Sequence, residues 1–218
     1  MTIVFGYFQY LNYLVLIGST IPSIIYACFH VVLNYYIIRS SKTNLGEKER
    51  PELLYYIGVI NIIFLLIRFV IPVYNITSPT DFDLFLEIIY VISYGLVLSL
   101  PFLITYGILM FKYGKANEQR FKSYLKYSGI LWIISSSINA ITLGGYLYSI
   151  LFRFLPVAFI MSLSTIIGFF GLIGLIAWIL VIVHSINNND NNLLISGILA
   201  LIAFGVSYLY NIFFPLLL

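Results

Sequence analysis

The sequence predicts an all-α membrane protein, a single domain over residues 1–218 built as a bundle of six transmembrane helices. Three observations lead there. Hydrophobic residues make up 61% of the chain and charged residues 9%, where a soluble domain carries roughly a quarter charged. The mean hydropathy is +1.03, more apolar surface than a water-soluble fold can hide. The apolar residues gather in runs near 14–38, 53–74, 83–111, 124–147, 154–184 and 193–216, and a helical crossing needs ~20 residues. Six or seven crossings with short loops use the chain and leave no room for a separate soluble domain.

The first run is the least clear. "MTIVFGYFQYLNYLVLIGST" lacks the basic leader of a signal peptide, so it is expected to stay as a span. Residues 1–38 exceed one perpendicular crossing at ~1.5 Å per residue. Either the first residues lie along the outer interface, or a hairpin at Pro22 gives seven spans; we take six. In "SSKTNLGEKERPE", Pro51 and Glu52 suit the first turn of the second helix. Ser78, Pro79 and Asp81 fit the N-cap, first and third positions of the third helix. That helix is expected to end at Gly114 in a left-handed cap, and Pro101 should kink it. "NNNDNN" separates the last two spans.

Charge orients the bundle. Arg39, Lys42, Lys48 and Arg50 follow span one, and Lys112, Lys115, Arg120, Lys122 and Lys126 follow span three; together they are 9 of the 11 basic residues. Arg153 alone lies on the opposite side. Basic loops stay in the cytoplasm, so both termini are expected to be extracytoplasmic, in a cell membrane. Tyrosines fall at both interfacial depths, among them Tyr35, Tyr55, Tyr56 and Tyr127 on the inner side. No internal repeat between spans 1–3 and 4–6 is evident, which weakens an inverted-repeat transporter.

Few residue patterns carry chemistry. Asp81 and Asp83 have D-x-D spacing but lack a supporting histidine, and acids at a helix start need no metal. His30 and His184 differ in depth and do not suit a haem clamp. No H-E-x-x-H zinc motif and no nucleophile elbow appears. No lysine lies inside a span to anchor a retinal Schiff base. Cys28 is the single cysteine, so no internal disulfide forms. The net charge of +3 is no signal for nucleic acid. No catalytic residue, metal site or cofactor is expected, and the protein is read as no enzyme. Asn75-Ile76-Thr77 matches a glycosylation sequon but hugs the membrane.

The remaining polar residues inside spans point to a site. Arg68, Glu87, Asn139, Thr142, Ser162, Ser164, Ser207 and Asn211 all fall between the midplane and the outer face, leaving little beyond His30 and Asn34 in the inner half. Polar groups in hydrocarbon are disfavoured unless they face one another or water, which suggests an outward-facing polar cavity. Arg68 and Glu87 lie at similar depth on adjoining helices and are expected to pair. Asn61, Tyr90 and Tyr94 would continue the seam inward. These residues, with Asn139 and Asn211, form the expected ligand site for a small solute. The rival reading is an accessory or assembly subunit, homo- or hetero-oligomeric. It would dock a partner through the small residues Gly168, Gly171, Gly174 and Ala177 of span five.

Overall fold

The computed structural model describes the backbone of residues 25–43, 48–77, 101–118, 124–152 and 157–217, and the side chains of 25–43, 48–66, 101–118, 124–141 and 172–206. Within these the chain is helical and holds no strand. Helix α1 occupies residues 25–42 and α2 spans Glu52–Thr77. A π-helical segment, Leu103–Leu109, leads into α3, Met110–Ala116. Helices α4 (Tyr124–Phe152), α5 (Val157–Asn187) and α6 (Asn191–Leu217) complete the order. Among the described residues no helix is long and apolar enough to cross a membrane, a statement that concerns the described stretches and not the full lengths of the helices.

Sequential helices pack on one another from α2 through α6, as short connections require. At the basic end, Ser40 of α1 bonds Asp190, and Thr43, just after α1, accepts from Asn192 of α6. Leu33 and Ile37 of α1, Leu54 and Ile57 of α2, Met110 of α3 and Leu125 of α4 are almost fully buried in one core cluster. Their spacing is one helical face on each element.

The helix ends follow local chemistry. Glu52 opens α2, and the amides of Leu53 and Leu54 donate to the carbonyls of Arg50 and Pro51. Arg50 itself takes φ 53°, so the sharp turn falls on a residue that seldom adopts it. Asp190 caps α6, its carboxylate accepting from the Leu193 amide at 3.1 Å. Asn189, at φ 53°, makes the reversal before it.

Two expectations are altered. Gly114 is no left-handed cap: α3 continues to Ala116, its cap residue Asn117 has φ −95°, and no described glycine has positive φ. Gly114 is there for proximity. A Cβ on it would strike the Lys126 amide nitrogen and sit 2.7 Å from the Leu125 carbonyl carbon. Gly129 of α4 answers it, since a Cβ there would meet the Phe111 nitrogen at 2.5 Å and Cα at 2.7 Å. The backbones of α3 and α4 therefore touch through one glycine from each. The second alteration is at Pro101. Directly after it the helix widens, and the Met110 amide reaches back to the Thr105 carbonyl, five residues away. The Thr105 hydroxyl donates to the Pro101 carbonyl. The backbone disturbance expected of the proline is thus taken up as π turns.

Candidate functional site

Two polar layers cross the described part of the bundle. The first lies well inside it. By helical rise Asn34, Asn61, Tyr106, Trp132 and Trp178 each sit ~12–15 Å from the basic end of their helix. Asn34 donates to the His30 carbonyl at 2.7 Å, one turn back, and its oxygen accepts from the Tyr106 hydroxyl at 2.9 Å. The Thr105 hydroxyl, whose one proton goes to the Pro101 carbonyl, lies 3.0 Å from the carboxamide of Asn61 on α2 and is placed to accept from its NH2 group. Both side chains reach the π segment. Aromatic rings wall the other side. Phe102 stacks on Trp132 at 5.6 Å, and Trp178 stands edge-on to Tyr106 at 4.9 Å. His30 packs against the rings of Tyr26 and Phe102.

Asn61 is the residue of interest in this layer. It is 4% exposed, one end of its carboxamide faces the Thr105 hydroxyl, and the other end has no hydrogen-bond partner. A polar atom buried without a partner loses ~1–3 kcal/mol of hydration. Away from this layer, Asn139 Oδ1, ~22 Å from the basic end, and the hydroxyls of Ser128 and Ser196, ~6–8 Å from it, are likewise buried without partners. Carboxamides and hydroxyls donate and accept without charge, so the layer suits a neutral polar molecule or water, held by hydrogen bonds and ring faces.

The second layer closes the basic end. Lys48, from the loop after α1, makes an ion pair with Asp190 at 2.8 Å, both side chains under a tenth exposed. The same ammonium donates to the Ser40 carbonyl at 2.6 Å, and the Ser40 hydroxyl donates to Asp190 at 2.6 Å. Next to this triad, Asn117 and Glu49 exchange hydrogen bonds: the Glu49 amide donates to Asn117 Oδ1 at 2.8 Å, and Asn117 Nδ2 donates to the Glu49 carbonyl at 2.9 Å. Burial first, and the Asp190 carboxylate second, push the Tyr113 phenol up from its ordinary range, so it stays neutral here. All three loops at this end are thereby tied: Lys126 reaches Glu118 at 3.0 Å across the α3–α4 connection.

Of the expected ligand residues, the structure describes two: Asn61 is buried beside Thr105, and Asn139 is half-buried with its Oδ1 enclosed. The side chains of Arg68 and Asn211, and residues Glu87, Tyr90 and Tyr94, lie outside the described residues, as do Asp81, Asp83 and the Pro22 turn. The inner half of the bundle is richer than expected. Beyond His30 and Asn34 it buries Asn61, Thr105, Ser128, Ser135, Ser136 and Ser196. Of the glycine stripe, Gly168 and Gly171 lie outside the described side chains, while a Cβ on Gly174 would sit 3.1 Å from the Trp132 ring of the same chain. Sequence reasoning passed over Thr105 and Asp190. Thr105, one turn after Pro101, and Asp190, the single acid before a helix in an Asn run, were the available signals. The chain matches no protein-family model, no curated protein and no solved structure.

Proposed function

We propose that the chain is a non-enzymatic multi-pass membrane protein that binds or passes a small, neutral, polar solute through the interior of its bundle. The membrane part of this reading rests on radial polarity. Large aliphatic side chains point outward on the helices, with Ile63, Leu66, Ile141 and Ile176 all about half exposed or more. Asparagine, serine and threonine point inward. A soluble domain is arranged the other way round, and exposed apolar surface of this extent needs a cover. Helices of 26, 29, 31 and 27 residues rise ~39–46 Å, against ~30 Å of bilayer hydrocarbon. Basic residues of two loops, after α1 and after α3, share one end, which goes to the cytoplasm by the inside rule.

Orientation is tested with a single cysteine at Lys42, an exposed site, in a Cys28→Ser background. Ser41 next to it is buried and bonded to the Ile38 carbonyl, so it would resist labelling for the wrong reason. The Lys42 thiol is expected to stay unlabelled by impermeant reagents in whole cells and to react after lysis. Labelling from outside reverses the orientation.

The one observation that carries the solute reading is the buried, unpartnered amide of Asn61 beside a π segment, a helix form frequent at functional sites. The purified protein is expected to gain thermal stability with one member of a panel of polyols, amides and nucleosides. Saturation at a hundredfold the dissociation constant corresponds to about 2.7 kcal/mol. Asn61→Leu should abolish that gain while leaving the solute-free protein as stable or more so, because an unpaired polar atom is removed and Thr105 keeps its bond to Pro101. A panel without any response, together with a stabilised Asn61→Leu, would leave Asn61 as a hydrated packing defect. The subunit reading loses weight at Gly174, which Trp132 of the same chain already covers.

A further inference from the structure

On α1 and α2 the exposed side chains near the basic end are sorted by depth, and α4 follows the first two steps. Farthest in are aliphatic groups, Val32 on α1, Ile63 and Leu66 on α2 and Ile134 on α4. Nearer the end come tyrosines with about half their surface open: Tyr35 at 53%, Tyr56 at 50% and Tyr127 at 55%, with Tyr55 beside them. One to two turns beyond Tyr35 on α1, and beyond Tyr55 and Tyr56 on α2, ~6–10 Å along the axes, stand the exposed cations Arg39, Lys42 and Arg50, and Lys112 and Lys115 are exposed on the last turns of α3. Aliphatic, phenol, cation is the order of acyl chain, interface and phosphate in a bilayer leaflet.

The cations of this rim are also available. Among the described residues the ion pairs are Lys48–Asp190, which is buried, and Lys126–Glu118. Among the described residues no acid pairs with Arg39, Lys42, Arg50, Lys112 or Lys115, although Glu49 and Glu52 are exposed at the same end. The acid that could have reached into the rim, Asp190, is turned inward and held by Lys48 and Ser40. Because the cations border the apolar sides of the helices, with phenols between, the surface they complete is the side of the bundle at headgroup height.

We propose that this rim is a binding surface for anionic phospholipid headgroups, engaging their phosphates through Lys42, Lys112 and Lys115 with Arg39 and Arg50. The inference rests on the membrane reading above. A cation near an anionic leaflet strengthens binding about fivefold, so a rim of several confers a strong preference for phosphatidylglycerol over phosphatidylcholine.

The test uses the full chain in vesicles and in mixed micelles. Fluorescent phosphatidylglycerol is competed with unlabelled phosphatidylglycerol, phosphatidylcholine or inorganic phosphate, for the wild type and for a Lys42→Gln, Lys112→Gln, Lys115→Gln variant. These lysines are exposed, so the variant should fold. Expected is a preference for phosphatidylglycerol over phosphatidylcholine that falls at least tenfold in the variant, with little competition from phosphate. Equal affinity for the two lipids, or a preference that the variant keeps, overturns the proposal. Displacement by millimolar phosphate makes the rim a site for free anions and overturns it too. Carbonate washing separates the two levels: protein that stays in the vesicles without lipid preference sinks the headgroup surface alone. Protein released by the wash sinks the membrane reading and this proposal with it.

Discussion

Asp190→Ala is expected to destabilise the protein by about 3–5 kcal/mol, the cost of removing one member of a buried ion pair. The substitution leaves the Lys48 ammonium in a site where its side chain is 6% exposed, with only the Ser40 carbonyl and hydroxyl to solvate it. It also removes the acceptor for the Leu193 amide, a cap worth ~1 kcal/mol. The Ser40 hydroxyl loses its acceptor at the same time. Lys48→Met alone should cost less than Asp190→Ala, because Asp190 retains Ser40 and the Leu193 amide. The double variant should be more stable than the sum of the two predicts, since no charge is left stranded. Denaturant titration in mixed micelles measures all three. Strict additivity would mean that the loops after α1 and α5 are held by something other than this pair.

The second large effect is at the crossing of α3 and α4. Gly114→Leu should prevent a folded protein from accumulating, and Gly114→Ala should cost more than the ~1–3 kcal/mol of ordinary overpacking. Even a methyl group at Gly114 meets main-chain atoms of Leu125 and Lys126, and a backbone has no alternative rotamer to offer. Gly129→Ala collides with the Phe111 backbone in the same way. The contrast is Gly205 of α6, where an added Cβ has nothing within 4 Å. Gly205→Ala should leave stability unchanged or raise it by up to ~1 kcal/mol, the helix preference for alanine. Thermal melts of these variants rank the sites. Equal tolerance at Gly114 and Gly205 would remove the close crossing.

What could be read from the sequence follows the range of the interaction concerned. Helices α2, α4, α5 and α6 overlie uninterrupted apolar runs bounded by polar turns, a signal carried by each residue's immediate neighbours. Glu52 in a first turn and the reversal in the Asn run are equally local. Gly114 misled because a glycine followed by polar residues has the pattern of a left-handed cap, whereas its lack of a side chain serves a neighbour on another helix. The Asp190 triad was hidden by distance along the chain, since its partners Ser40 and Lys48 lie 150 and 142 residues away. Asn61 stood out as an amide in an apolar run. Its partner Thr105 did not, because nothing in either run says which faces of α2 and the π segment meet.

The π segment has one more consequence, which concerns angular phase. A chain wound with hydrogen bonds to the fifth residue back turns less per residue than one bonded to the fourth. Across Leu103–Leu109 the helix therefore falls behind the rotation it would have reached as regular α, and Met110–Ala116 inherits that lag. Gly114 faces α4 only in the lagging phase. Rewinding the segment to α geometry would swing a neighbouring side chain into the space where Gly114 now lets two backbones touch. Tyr106 and Thr105 would leave Asn34 and Asn61 in the same rotation. The interior amides and the glycine crossing are thus geared together through the winding of one short stretch of chain.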